Sequence, residues 1–199
     1  DNYYKGYGGI TVSHVEHLNV NVVGADYSEL LVYQHGTSYV GGNGVDTFYA
    51  DLSKETSNIN WVNDGSEKTL LNQGSAFMVS GVERLLLETG SGNDVIYNSA
   101  NNSGDDIRTD EGDDVVRVGD GSDNVDAGNG NNIVYAGAGY NTVKTGTGSD
   151  RIDLTGGVVD AGAGDDQIVF HFVNSSGHAV DGGEGEDTLS LEVYAYQRL

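Results

Sequence analysis

Aliphatic residues recur along the middle of this chain in pairs two apart, and the pairs return every nine residues: Val116/Val118, Val125/Ala127, Val134/Ala136, Val143/Thr145 and Ile152/Leu154. Alternation with period two predicts short strands with one face turned inward, and stacking the repeats makes the inward pairs a thin, continuous core. The outward rows differ. One carries Val115/Arg117, Ile133/Tyr135 and Arg151/Asp153, the other Asn124/Asp126 and Thr142/Lys144. Upstream, Ile10–Val23, Leu30–Tyr33 and Ala76–Val79 also read as strands. No stretch sustains a helical period, so the expectation is an all-β chain.

Turns of the form Gly-x-Gly-x-Asp separate the strands. They recur at 90–94, 110–114 (with Asp110 for the first glycine), 119–123, 146–150, 162–166 and 183–187, with an upstream copy over Gly41–Tyr49. A chain reversing this often needs backbone positions of positive φ, which glycine takes without steric cost. Two echoes, Val15-Glu16-His17-Leu18 with Val82-Glu83-Arg84-Leu85 and the endings at Gly41 and Gly182, suggest two passes of one design. The expected division is a strand-rich segment over 1–80 that carries one turn of this kind and packs on or caps the rest, with residues 51–80 as an excursion, and a repeat domain over 81–199. The partly apolar outer row of Val115 and Ile133 is expected to be covered by residues 1–80, because such a face is seldom left bare.

Composition changes the picture by adding a need for cations. Thirty-one acidic against nine basic residues give a net charge of −22 over 199 residues, and 19 acidic against four basic lie between Gly90 and Ser190. That balance excludes a nucleic-acid partner. With 31 glycines it approaches a disordered composition, so the chain is expected to fold when cations neutralise it. There is no cysteine, hence no disulfide and no thiolate metal site. No apolar run is long enough for a membrane span. The chain begins at Asp1 with neither initiator Met nor signal peptide, which suggests a piece of a larger parent chain.

The turn aspartates supply hard anionic oxygens, the ligand type calcium selects, but one turn cannot fill a shell of six to eight oxygens. The Gly-Gly-x-Gly-x-Asp-x-apolar-x pattern resembles the RTX, haemolysin-type calcium-binding repeat. The resemblance spans about 41–49 and 89–191 and implies a right-handed parallel β-roll, or β-solenoid, with the N-terminal segment packed on it. It implies several Ca2+ ions between turns of one edge, eighteen residues apart, held by turn carbonyls and by Asp46, Asp94, Asp106, Asp114, Asp123, Asn132, Asn141, Asp150, Asp166 and Asp187. The carbonyls would come from Gly42, Gly44, Gly90, Gly92, Gly112, Gly119, Gly121, Gly128, Gly130, Gly137, Gly139, Gly146, Gly148, Gly162, Gly164, Gly183 and Gly185. Asp114, Asn132 and Asp150 fall on one edge, and Asp106, Asp123 and Asn141 on the other. Asn replaces Asp at two turns, where weaker or vacant sites are expected. Spacing breaks at 98–103, at 157–164 and at 170–182, and ion continuity is expected to fail there.

The resemblance further implies type I secretion, an extracellular or cell-surface location, and folding on meeting calcium outside. The first functional expectation is thus a calcium-binding structural module, as in an adhesin. A second is a carbohydrate- or ligand-binding module using residues 1–80 and 170–182, with Trp61 or Tyr3 and Tyr4 as a stacking platform for a surface glycan or protein. The third and least favoured is a polysaccharide-modifying enzyme using Arg117, Asp153 and Tyr135. No Gly-x-Ser-x-Gly elbow and no His-Glu-x-x-His occurs, so no catalytic residue is assigned. His14, His17, His35, His171 and His178 read as loop or strand residues rather than ligands, and sequons at Asn101 and Asn174 carry little weight.

Overall fold

A computed structural model describes residues 21–23, 30–33, 38–63, 68–72, 75–99, 102–172 and 177–193. The expectations placed on Tyr3, Tyr4, His14, His17, His35, Asn101 and Asn174 lie outside these residues. Every regular element among them is a strand. In chain order they are β1 (Asn21–Val23), β2 (Leu30–Val32), β3 (Ser38–Val40), β4 (Thr47–Asp51), β5 (Ile59–Asn63), β6 (Lys68–Asn72), β7 (Ser75–Ser80), β8 (Arg84–Glu88) and β9 (Val95–Asn98). They continue as β10 (Asp106–Arg108), β11 (Val115–Val118), β12 (Asn124–Asp126), β13 (Ile133–Tyr135), β14 (Asn141–Lys144), β15 (Arg151–Leu154), β16 (Gly157–Asp160), β17 (Gln167–Phe172), β18 (Ala179–Asp181) and β19 (Thr188–Val193).

From β8 onward the chain alternates between two sheets, so each strand from β8 to β17 pairs in parallel with the strand two places after it. This makes a β-solenoid of the roll type. Register is eighteen residues per coil where the sequence is regular: Val115 pairs with Ile133 and Ile133 with Arg151, while on the other sheet Asn124 pairs with Thr142. The inward pairs named above are all buried, from Val116 and Val118 through to Ile152 and Leu154. The alternation of apolar and polar positions thus becomes alternation of core and surface.

The three spacing irregularities share one location. Asp106 pairs with Leu86, a step of 20; Val158 pairs with Thr142, a step of 16; Ala179 pairs with Val158, a step of 21. Each extra or missing residue lies in a turn leading from the eleven-stranded sheet into the eight-stranded one. From β8 onward, turns in the opposite direction keep their length.

Of packing on the repeats or capping them, the described strands of residues 1–80 do the second. They do not lie across the outer row of Val115 and Ile133. They extend the solenoid end-on: β4 pairs with β8, β5 with β9, and β2 with β4, all parallel. Between β5 and the next coil the chain inserts β6, antiparallel to both β5 and β7, which lifts β7 out to meet β3. The core widens here to admit aromatics. Phe48 packs edge-on to Tyr39 at 5.1 Å and stacks on Trp61 at 5.6 Å. Trp61 is 2% exposed, which removes it as a sugar-stacking platform.

Candidate metal centre

Turns leading into the eleven-stranded sheet bring one residue of each coil into a column: Asp94, Asp114, Asn132, Asp150, Asp166 and Asp187. The column is held by a repeated bond. The backbone N–H of each member donates to the side-chain Oδ1 of the next: Asp94 to Asp114 at 2.7 Å, Asp114 to Asn132 at 3.0 Å, Asn132 to Asp150 at 2.7 Å, Asp150 to Asp166 at 2.8 Å and Asp166 to Asp187 at 3.0 Å. Upstream, the Ile59 N–H donates to Asp94 Oδ1 at 2.7 Å. The backbone carbonyls of Asp94, Asp114, Asn132, Asp150 and Asp166 also accept from the start of the next coil's strand, as Asp114 does from the Ile133 N–H at 2.8 Å. One side-chain oxygen per turn is thereby committed to joining coils.

Glycine makes the coils close enough for this. Gly139 has φ 128°, and a Cβ there would lie 1.5 Å from the Gly121 carbonyl oxygen. At Gly164, with φ 140°, the same contact with Gly148 would be 1.7 Å. No side chain fits at either position, so successive turns stack backbone on backbone.

The second carboxylate oxygen is the informative one. Oδ2 of Asp94, Asp114, Asp123, Asp150 and Asp166 is buried without a hydrogen-bond partner. Thr109 and Thr145 sit beside Asp114 and Asp150, yet their hydroxyl protons go to the carbonyls of Ala127 at 3.1 Å and Ala161 at 2.7 Å. Desolvation accordingly raises these carboxyls: Asp114 to about 7, Asp123 to about 6, and Asp94, Asp150 and Asp166 in the same direction. A buried acceptor with no donor is costly, and a cation meets its need. The available donors are all oxygen, which suits a hard ion such as calcium. Among the described residues no three carboxylate or imidazole side chains converge on a point. Any ion here would be held by one carboxylate per turn and by turn carbonyls, of which Gly137, Gly146 and Gly162 already accept one N–H each from a neighbouring coil.

The opposite column is broken. Asp105 N–H donates to Asp123 Oδ1 at 2.8 Å, and Asp123 N–H to Asn141 Oδ1 at 3.0 Å. There the run of side-chain links ends: Asn141 N–H meets the Gly156 carbonyl at 3.1 Å, and the Gly157 N–H donates to His178 Nδ1 at 2.9 Å. Asp46 stands at the head of this edge, its N–H donating to Glu83 Oε2 at 2.8 Å.

Asp106 was expected in this column and is not in it. It lies on the surface of β10, where Asn124 Nδ2 donates to its Oδ1 at 3.1 Å. The column position belongs to Asp105, which counting eighteen back from Asp123 would have found. Asp105 differs from the others in having both oxygens engaged: Oδ1 accepts from the Leu85 N–H at 2.8 Å and Oδ2 from Asn98 Nδ2 at 2.7 Å. Asn98 Oδ1 in turn accepts from Asn63 Nδ2 at 2.6 Å, a buried polar chain reaching β5 that no sequence motif announced. On the first edge the run of side-chain links crosses both 157–164 and 170–182, through Asp150, Asp166 and Asp187.

Arg117, Tyr135 and Asp153 stand in register on the outer face and help line a cavity of about 480 Å³. Arg117 lies over the Tyr135 ring at 5.7 Å, and Asp153 is engaged by His171 Nε2 at 3.0 Å.

Residues 99–134 and 126–168 match the RTX calcium-binding nonapeptide repeat, in four copies. This chain carries RTX repeats. No curated protein matches it. The RTX match covers the coils from β10 to the start of β17, while Asp46, Asp94 and Asp187 lie outside it on turns of the same design. Among the described residues no helix is long and apolar enough to cross a membrane.

Proposed function

We propose that this chain is a calcium-stabilised structural module of a secreted or cell-surface protein, folding as calcium fills its turns. The observation behind this reading is the set of buried Oδ2 atoms on Asp94, Asp114, Asp123, Asp150 and Asp166, each without a proton donor. RTX repeats are typical of secreted proteins, where calcium is abundant, and the absence of cysteine suits a chain that must travel unfolded. Arithmetic favours many weak sites over one. Extracellular calcium modules bind at about 10⁻⁴–10⁻³ M, and at ten times that constant one ion stabilises by only about 1.4 kcal/mol. Several coupled ions would be needed, and each also relieves acidic repulsion.

The test is circular dichroism of the isolated chain during titration with CaCl2. A β signal absent in excess chelator and rising cooperatively in the millimolar range is expected. The same signal with chelator as with calcium would refute the reading.

A further inference from the structure

The two asparagines in the columns are more than weakened aspartates. Asn132 Nδ2 donates to the carbonyls of Gly128 and Gly130, at 3.2 Å each. Asn141 Nδ2 donates to Ala136 at 2.8 Å and reaches Gly137 at 3.5 Å. Their Oδ1 atoms keep the column bonds to the N–H groups of Asp114 and Asp123, both at 3.0 Å. Those N–H groups can only donate, so they fix which end of each amide is oxygen and aim the nitrogen at the turn carbonyls. Asn132 and Asn141 are 1% and 0% exposed, with nothing left unsatisfied.

At the aspartate turns, Oδ1 makes the same bond and Oδ2 takes the place of the amide nitrogen. There it presents an acceptor to a turn that offers acceptors. The difference between Asp and Asn is therefore a donor where the ion would otherwise sit. We propose that Asn132 and Asn141 are built-in replacements for bound calcium, their NH2 groups donating to the turn carbonyls that an ion would draw together. The two turns lie nine residues apart on opposite edges and bound the half-coil of β13 in the middle of the repeats. That half-coil closes without metal, and calcium is taken up on either side of it, at Asp94 and Asp114 before and at Asp150 and Asp166 after. This inference rests on the reading of the aspartate turns as calcium sites.

Calcium uptake separates the two ideas. The intact chain would be titrated with CaCl2, following bound calcium by equilibrium dialysis and folding by circular dichroism, for wild type, N132D/N141D and D150N. The double variant is expected to bind about one or two more ions per chain and to need more calcium to reach half folding. D150N, which supplies the missing NH2, is expected to bind fewer ions and to fold at lower calcium. A double variant that matches wild type in both ion count and midpoint, while wild type binds calcium, would overturn this proposal alone. If it fails to fold at any calcium level, D150N decides: an unchanged ion count and midpoint there overturns the proposal. A wild-type chain that binds no calcium overturns both this and the reading beneath it.

Discussion

Asp110 does with a side chain what its neighbours do with glycine. Its φ is 56°, against 65° for Gly128, 87° for Gly162 and 85° for Gly183 at matching turn positions. A left-handed backbone costs an L residue roughly 1–2 kcal/mol, somewhat less for Asp and Asn. Its carbonyl accepts the Asn129 N–H at 2.7 Å, a bond glycine would keep. Asp110→Gly is therefore expected to stabilise the calcium-loaded chain by about 0.5–1 kcal/mol, the lower part of the strain relieved less the added flexibility of the unfolded chain. A urea midpoint that stays put or falls, at saturating CaCl2, would count against the strain. Residues of this kind show where sequence reading succeeds and stops. Membership of a column follows from spacing, so Asp114, Asn132 and Asp150 are legible from eighteen-residue steps. Asp105 was missed because residues 98–103 disturb the phase beside a second aspartate. The Asn98–Asn63 chain was not legible, because it joins residues 35 apart whose meeting depends on β5 lying beside β9.

Strands record the same division between local pattern and distant pairing. Between β10 and β15 the period alone gives the register. The antiparallel β6 could not be read, since its partners β5 and β7 are fixed by where β4 and β8 meet on the other sheet. That juncture depends on size rather than period. Phe48 is fully buried between Tyr39 and Trp61, in a coil where β4 faces an eleven-stranded sheet enlarged by the insertion. Removing its ring leaves a cavity bordered by two aromatic rings, both carried by the eleven-stranded sheet, which can fill it only by shifting toward β4. Phe48→Ala is expected to destabilise the loaded chain by about 3–5 kcal/mol. The measurement is equilibrium urea denaturation at saturating CaCl2. A loss below about 1 kcal/mol would mean that the aromatic cluster is not what fastens the first coils to the repeats.

For the molecule as a whole, carboxylates set the stability through two opposed routes, and pH tells them apart. With a net charge of −22, the metal-free chain repels itself. Burial has also raised Asp105 and Asp114 to about 7 and Asp123 to about 6, against roughly 3.9 for an unfolded aspartate. Between those limits the folded chain holds protons that the unfolded chain has released, so the metal-free fold gains stability as pH falls through 7 and 6 and loses it as pH rises. Calcium bound as proposed would work in the opposite sense, since it would compete with protons for the same oxygens and bind better as they leave. In metal-stripped buffer the thermal midpoint is expected to be higher near pH 5 than near pH 8. At saturating CaCl2 that dependence should flatten or reverse. Surface charge alone would also favour acid, so Asp105→Asn is the control. It removes one raised carboxyl that already has both oxygens engaged, and it should shrink the metal-free slope between pH 6 and 7 by more than Asp106→Asn, one residue on and partly exposed. Equal slopes in the two variants would show that general repulsion, not the buried column, governs how this fold responds to acid.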